Sequence, residues 1–124
     1  MKINESVENY LETILMLSKK LPVVRSIDIA NELNFKKSSI SVAMKNLRLN
    51  GYIEVSDAGF ITLTSAGLEI AEKIYERHDL LSKWLIALGV DEETATSDAC
   101  RMEHYMSAES FGAIKKFVLN QMNL

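Results

Sequence analysis

Residues 26–64, SIDIANELNFKKSSISVAMKNLRLNGYIEVSDAGFITLT, carry the order of elements that decides the fold. Ser26 reads as the N-cap of a short helix bearing Ile29, Ala30 and Leu33, because a serine hydroxyl can accept from an early helical N–H. Asn34, Phe35 and Lys36 make a three-residue turn. A second helix then places Ile40, Ala43, Met44 and Leu47 on one face and stops before Gly51. Residues 52–56 and 60–64 are β-prone runs, and Asp57-Ala58-Gly59 between them has the chemistry of a tight hairpin. Helix, short turn, helix and hairpin is the order of a winged helix-turn-helix, whose second helix enters the DNA major groove.

The face of that second helix supports a DNA partner. With Ile40, Met44 and Leu47 inward, a step of about 100° per residue turns Ser38, Ser41, Val42 and Lys45 outward together. The hydroxyls of Ser38, Ser39 and Ser41 are small enough to approach base edges or phosphates, and Val42 suits a thymine methyl group. Residues 36–50 contain Lys36, Lys37, Lys45 and Arg48 and no acid, which supplies phosphate contacts. Four basic residues on one helix are also common on a plain solvated face. The hairpin directly after them favours the DNA reading.

Outward from this segment the chain is helical. Val7, Tyr10, Leu11, Ile14, Leu17 and Leu21 predict a first helix over residues 4–20, ended by Pro22, the only proline. From Ser65, Ile70, Ile74, Leu81, Leu85 and Leu88 form one stripe of a long connecting helix that Gly89 stops. Asp91 caps the next helix, carrying Ala95, Ala99, Met102 and Met106. A last helix holds Phe111, Ile114 and either Phe117 or Val118. The expected fold is mainly α, with a winged helix-turn-helix over residues 1–65 and a helical domain over residues 66–124.

With 124 residues, 48% of them hydrophobic and 25% charged, the chain can bury one core, and no run of about 18 apolar residues reads as a membrane span. Its opening, MKINESVENY, is acidic and polar, so no targeting segment is expected. The single cysteine, Cys100, fits a reducing compartment, and the expected location is the cytoplasm. The formal net charge of −3 weighs against nucleic acid, but it is uneven. Residues 1–65 hold eight Lys or Arg against seven Asp or Glu, and residues 66–124 hold six against ten. The first half can face DNA, and the second suits cations.

Cys100, Glu103 and His104 stand at i, i+3 and i+4, so one helix face would project a thiolate, a carboxylate and an imidazole. Sulfur with nitrogen and oxygen suits Fe²⁺, Co²⁺, Ni²⁺ or Zn²⁺, whereas calcium and magnesium prefer oxygen alone. Taken alone, such a triplet is more often a core cysteine beside surface charges. His78 adds weight, because Ile74, Leu81 and Leu85 put it near the buried side of the connecting helix. On the first helix, Asn9, Glu12 and Met16 share an arc away from the main apolar stripe, a second packed face with oxygen donors. Glu5 and Glu8 flank it as plain solvent charges.

Together, DACRMEHYMS at 98–107, ERHDLLSKWLIALGV at 76–90 and VENYLETILML at 7–17, with a winged helix between, resemble the diphtheria toxin repressor family of iron- and manganese-dependent regulators. The resemblance covers nearly the whole chain. It implies a homodimer, with an N-terminal DNA-binding domain and a helical metal-binding and dimerisation domain, in which metal favours binding to palindromic operators and repression of uptake genes. Cys100, Glu103 and His104 match family ligands, and His78 matches the histidine of a neighbouring site. Cys100 fits the iron-responsive branch, so Fe²⁺ is favoured with Mn²⁺ as the alternative, and Zn²⁺, Co²⁺ or Ni²⁺ as substitutes in vitro. Glu12 fits the manganese branch, and Asn9 stands where methionine or aspartate is usual. Ser82 and Thr96 replace two ligands of the iron-responsive members. The resemblance does not extend to the SH3-like third domain of the longer members.

An enzyme is not expected, because neither an H-E-x-x-H helix nor a glycine-rich phosphate loop occurs. A metal-independent winged-helix regulator of an organic ligand is the rival, and it would not need Cys100, Glu103, His104 and His78 together. A winged helix used only for protein contacts would show no salt-sensitive binding to duplex DNA. Trp84, Leu85, Leu88 and Val90 gather apolar surface at one helix end, which favours a symmetric dimer.

Overall fold

The computed structural model describes residues 2–122 as six helices and one hairpin. Two compact units divide after Lys73. In the first, α1 (Glu5–Lys20) starts where the Asn4 side chain accepts from the Val7 N–H at 3.0 Å. Glu5 and Glu8 in its first turn and Lys19 and Lys20 in its last complement the helix dipole. Its buried face carries Val7, Leu11, Ile14, Leu15 and Leu17, and it ends at Leu21, before the proline.

The second helix, α2 (Ser26–Leu33), corrects one sequence expectation. Ser26 is its first helical residue, and Arg25 is the N-cap. The reason is Asp28, whose carboxylate reaches back to accept from the Arg25 N–H at 2.8 Å, the half of a capping box that does not need a hydroxyl at the cap. Asn34 closes α2 in the left-handed conformation, with φ of 56°, which asparagine tolerates better than most residues. The next helix, α3 (Lys37–Leu49), buries Ile40, Met44 and Leu47 as its spacing predicts.

Two short strands, β1 (Ile53–Val55) and β2 (Ile61–Leu63), pair antiparallel with Ile53 opposite Leu63 and Val55 opposite Ile61. Between them Gly59 takes φ of 84°, and Ser56 accepts from the Phe60 N–H on its hydroxyl. Packing joins α1 to α2 and β2, and α3 to α2 and β1. The hairpin is anchored by the Ile61 N–H, which donates to the Val24 carbonyl at 2.7 Å, and by the Arg25 guanidinium 4.8 Å above the Phe60 ring. The long helix α4 (Ser65–Ala87) begins against this unit. A β-carbon at Gly67 would collide with the Tyr52 carbonyl, so glycine is what lets its first turn sit there.

The second unit comprises the rest of α4, α5 (Glu92–Met102) and α6 (Ala108–Met122). Gly89, with φ of 101°, turns the chain after α4, and the Asp91 carboxylate caps α5 through the Glu93 N–H. Leu80, Phe111 and Val118 form the core, with Trp84, Met106, Ile114 and Leu119 packed on it. The open choice on α6 is thereby settled: Val118 is buried and Phe117 is exposed. Among the described residues no helix is long and apolar enough to cross a membrane.

Candidate metal centre and nucleic-acid interface

On the first unit, Lys36, Lys37, Ser38, Ser39, Ser41, Val42 and Lys45 are all exposed. Val42 is 62% exposed, so its methyl groups are accessible to a partner on this face. Lys36 is the N-cap of α3 and makes no side-chain cap, and no acid lies in the first turn. The amides there point outward beside two lysines, an arrangement that receives phosphate. α3 thus presents basic residues, hydroxyls, an apolar contact and a helix N-terminus on one accessible face.

On α1, Glu12 is 5% exposed and Asn9 is half-buried, and the Asn9 carbonyl accepts from the Thr13 hydroxyl at 2.7 Å. A carboxylate this buried costs several kcal/mol unless it is paired or neutralised.

In the second unit the expected ligands do not project from one helix. α5 ends at Met102, Glu103 is its C-cap, and His104 lies beyond. Cys100, a turn earlier, has an exposed thiol, whereas Glu103 is completely buried. The fold brings His78, Glu103 and His104 together. His78 Nδ1 lies 2.9 Å from Glu103 Oε2, and His104 Nε2 lies 3.4 Å from Glu103 Oε1. A buried carboxylate therefore sits between two imidazoles. The Glu103 carboxylate, by its hydrogen bond and its charge, holds the His78 imidazole above the usual histidine value, with Asp79 adding to this and burial opposing it.

This donor set fits a divalent cation. Glu103 Oε1 is buried and has no hydrogen-bond partner among the described residues. An oxygen that is buried beside an imidazole without a hydrogen bond is one that a cation bound between carboxylate and imidazole would satisfy. Ser82 Oγ is likewise buried without a hydrogen bond, but Thr96 is exposed, so these two do not repeat the buried pattern of Glu103.

Sequence reasoning missed Arg77. Its guanidinium is buried, donates from Nη1 to the Glu103 carbonyl at 3.1 Å and the Met106 carbonyl at 2.6 Å, and lies 5.2 Å from the centre of the Phe111 ring. An arginine beside a stripe of aliphatic residues reads as surface charge. The available signal was position, since Arg77 falls three residues after Ile74 and four before Leu81, on the packed side of α4.

Known proteins resemble this chain along nearly its whole length. A family model described as iron dependent repressor, N-terminal DNA binding domain, matches residues 2–59, and one described as iron dependent repressor, metal binding and dimerisation domain, matches residues 64–121. An uncharacterised HTH-type transcriptional regulator of Methanocaldococcus jannaschii is 35% identical over 118 residues, covering 94% of this chain and 94% of the relative. The transcriptional regulator MntR of Escherichia coli O157:H7 is 32% identical over 113 residues, covering 91% of this chain and 73% of the relative. In fold, the structure of the manganese regulator SloR superposes with a TM-score of 0.79 at 24% identity, over 95% of this chain and 54% of that one. The chain spans about half the length of that solved protein. Metal-independent sensing of an organic ligand is not favoured by these matches. The chain therefore belongs to the iron-dependent repressor family, the diphtheria toxin repressor family its sequence resembles, and is a metal-dependent DNA-binding transcriptional regulator rather than an enzyme.

Proposed function

We propose that this protein, bound to Fe²⁺ or Mn²⁺, dimerises on a palindromic operator and represses genes of metal homeostasis in the cytoplasm. The observation that carries the metal assignment is the buried Glu103 carboxylate, held by His78 on one oxygen and open to a cation beside His104 on the other. Glu103, His104 and His78 are the central ligands, with Cys100, Glu12 and Asn9 as further donors. The thiolate of Cys100 favours Fe²⁺, and also Zn²⁺, Co²⁺ or Ni²⁺ in vitro, because sulfur adds less to a Mn²⁺ site. SloR is named a manganese regulator, which keeps Mn²⁺ as the alternative.

The DNA contacts are Lys36, Lys37 and Lys45 to phosphate, and Ser38, Ser39, Ser41 and Val42 at phosphates or base edges. Two copies place two α3 helices on the two halves of a palindrome. The dimer contact is drawn from Trp84, Leu85, Leu88 and Val90. Exposed Leu88 and Phe117 line an apolar cavity of about 200 Å³ with Trp84, Ala87, Val118 and Gln121, surface of the kind a partner copy covers. Metal acts by binding the DNA-competent arrangement better than others, and linkage then makes DNA tighten metal binding by the same factor.

Selection from a random duplex library, run with Fe²⁺ under argon, with Mn²⁺ or with chelator, tests the proposal. A palindrome enriched only with metal, bound by a dimer in sedimentation, is the expected result. Cys100→Glu should shift the metal ranking toward Mn²⁺, and an unchanged ranking would remove Cys100 from the ligands. Enrichment with chelator equal to that with metal would overturn metal dependence of this chain.

A further inference from the structure

Helix α5 ends where the chain must turn toward α6, and the carbonyls at such an end have no helical partner. Here a single side chain serves the carbonyl of the C-cap, Glu103, and that of Met106 in the connection to α6. Arg77 Nη1 donates to the Glu103 carbonyl and to the Met106 carbonyl, so the stretch containing His104 is gripped on both sides. The next residue on α4, His78, holds the Glu103 carboxylate. Glu103 is thus fixed at its main chain by Arg77 and at its side chain by His78.

We propose that Arg77 is a positioning residue of the metal centre, setting the turn at residues 103–106 so that the Glu103 carboxylate and the His104 ring are in place before a cation arrives. This rests on the assignment of Glu103 and His104 as ligands.

Two features argue against a purely structural cap. Arg77 is buried, and its Nε has no hydrogen-bond partner among the described residues, so the guanidinium is a costly way to fill this space. An apolar residue would pack the same place beside Phe111 at less cost, whereas the two carbonyls could turn to water if the 103–106 turn were free to move. What the guanidinium adds is geometry: its planar fork restricts where the two carbonyls lie. The Phe111 ring in turn fixes the guanidinium, through a contact of 5.2 Å to the ring centre. Groups that orient metal ligands from behind typically contribute about 10- to 100-fold to affinity.

The test uses the full chain and two variants. Arg77→Met keeps an apolar stem and removes the donors, and Arg77→Lys keeps the charge but not the fork. Mn²⁺ affinity is read by calorimetry, Co²⁺ binding by its visible absorption, and the metal-free turn by amide hydrogen exchange at residues 103–106. Both variants are expected to bind metal at least about ten-fold more weakly. Exchange at residues 103–106 should rise in the metal-free protein, and DNA binding should return to the wild-type level once metal is saturating. A lower melting temperature with unchanged metal affinity would overturn the proposal and leave Arg77 a structural cap. Glu103→Gln serves as the separate control: if it binds metal as tightly as wild type, the ligand assignment itself fails. Should Arg77→Met fail to fold, Arg77→Lys and Phe111→Leu carry the same comparison, and wild-type Mn²⁺ affinity in both would reject the role.

Discussion

Val42 on α3 is 62% exposed and Glu103 at the end of α5 is 0% exposed, and this difference separates how the two units work. On α3 the candidate side chains extend into water from a helix whose packing does not depend on them. If each makes a separate contact with DNA, as proposed, their effects should be graded and nearly additive. Around Glu103, every group is held by another: His78 by the carboxylate, the carboxylate's main chain by Arg77, and Arg77 by Phe111. Buried polar groups of this kind act as a set, and removal of one leaves the rest unsatisfied.

The largest expected effect comes from breaking the buried set. Glu103→Gln keeps the size of the side chain and removes its charge, so the site loses its anion and the charge that strengthens the contact with His78, although the amide oxygen can still accept from that ring. Metal stimulation of DNA binding should vanish, a loss within the roughly 5- to 150-fold range of allosteric activation. Fluorescence anisotropy of the selected palindrome with and without Mn²⁺ measures it. A partial, graded loss would mean that the second unit works by separate contacts as the first does.

The exposed set should respond more gently. Lys37→Ala and Lys45→Ala are each expected to weaken DNA binding similarly for cognate and unrelated duplexes. Each should also reduce the salt slope of the logarithmic affinity by about 1. The double variant should lose about the product of the two single factors. Binding isotherms over a range of salt concentrations check both statements. A loss confined to the cognate duplex would move that lysine from phosphate to base contact.

The same contrast explains what was legible in the sequence. A winged helix is a matter of periodicity and turn chemistry, so Ile40, Met44 and Leu47, the Asp57–Gly59 hairpin and the exposed face of α3 could all be read from spacing. In the second unit, residue types named Glu103, His104 and His78, but spacing alone extended α5 through Met106, which lies beyond the helix in the connection to α6. The helix stops at Met102, where a guanidinium from 26 residues earlier in the chain takes the Glu103 carbonyl. A long-range partner that ends a helix leaves no local pattern. Likewise Phe117 and Val118 are both apolar, and only the packing of α6 against Leu80 of α4, in which Val118 joins Phe111 on the buried side, decides between them.

The smallest expected effect concerns the start of α2, where local chemistry offered two solutions. If Ser26 were the cap, Ser26→Ala would cost about 1 kcal/mol, the usual loss on removing a capping hydroxyl. In the structure Arg25 is the cap and the hydrogen bond is supplied by Asp28, so Ser26→Ala should change stability by less than about 0.5 kcal/mol. Asp28→Ala should cost about 1 kcal/mol, because the exposed Arg25 N–H exchanges its capping hydrogen bond for water and the first turn loses a negative charge. The loss should be local to the first unit. Amide exchange on α2 and α3 measures it there without assuming that the whole chain unfolds in one step. Equal losses for the two variants would return the cap to Ser26. No loss from Asp28→Ala would show that packing of Ile29 and Ala30 alone fixes the entry to α2.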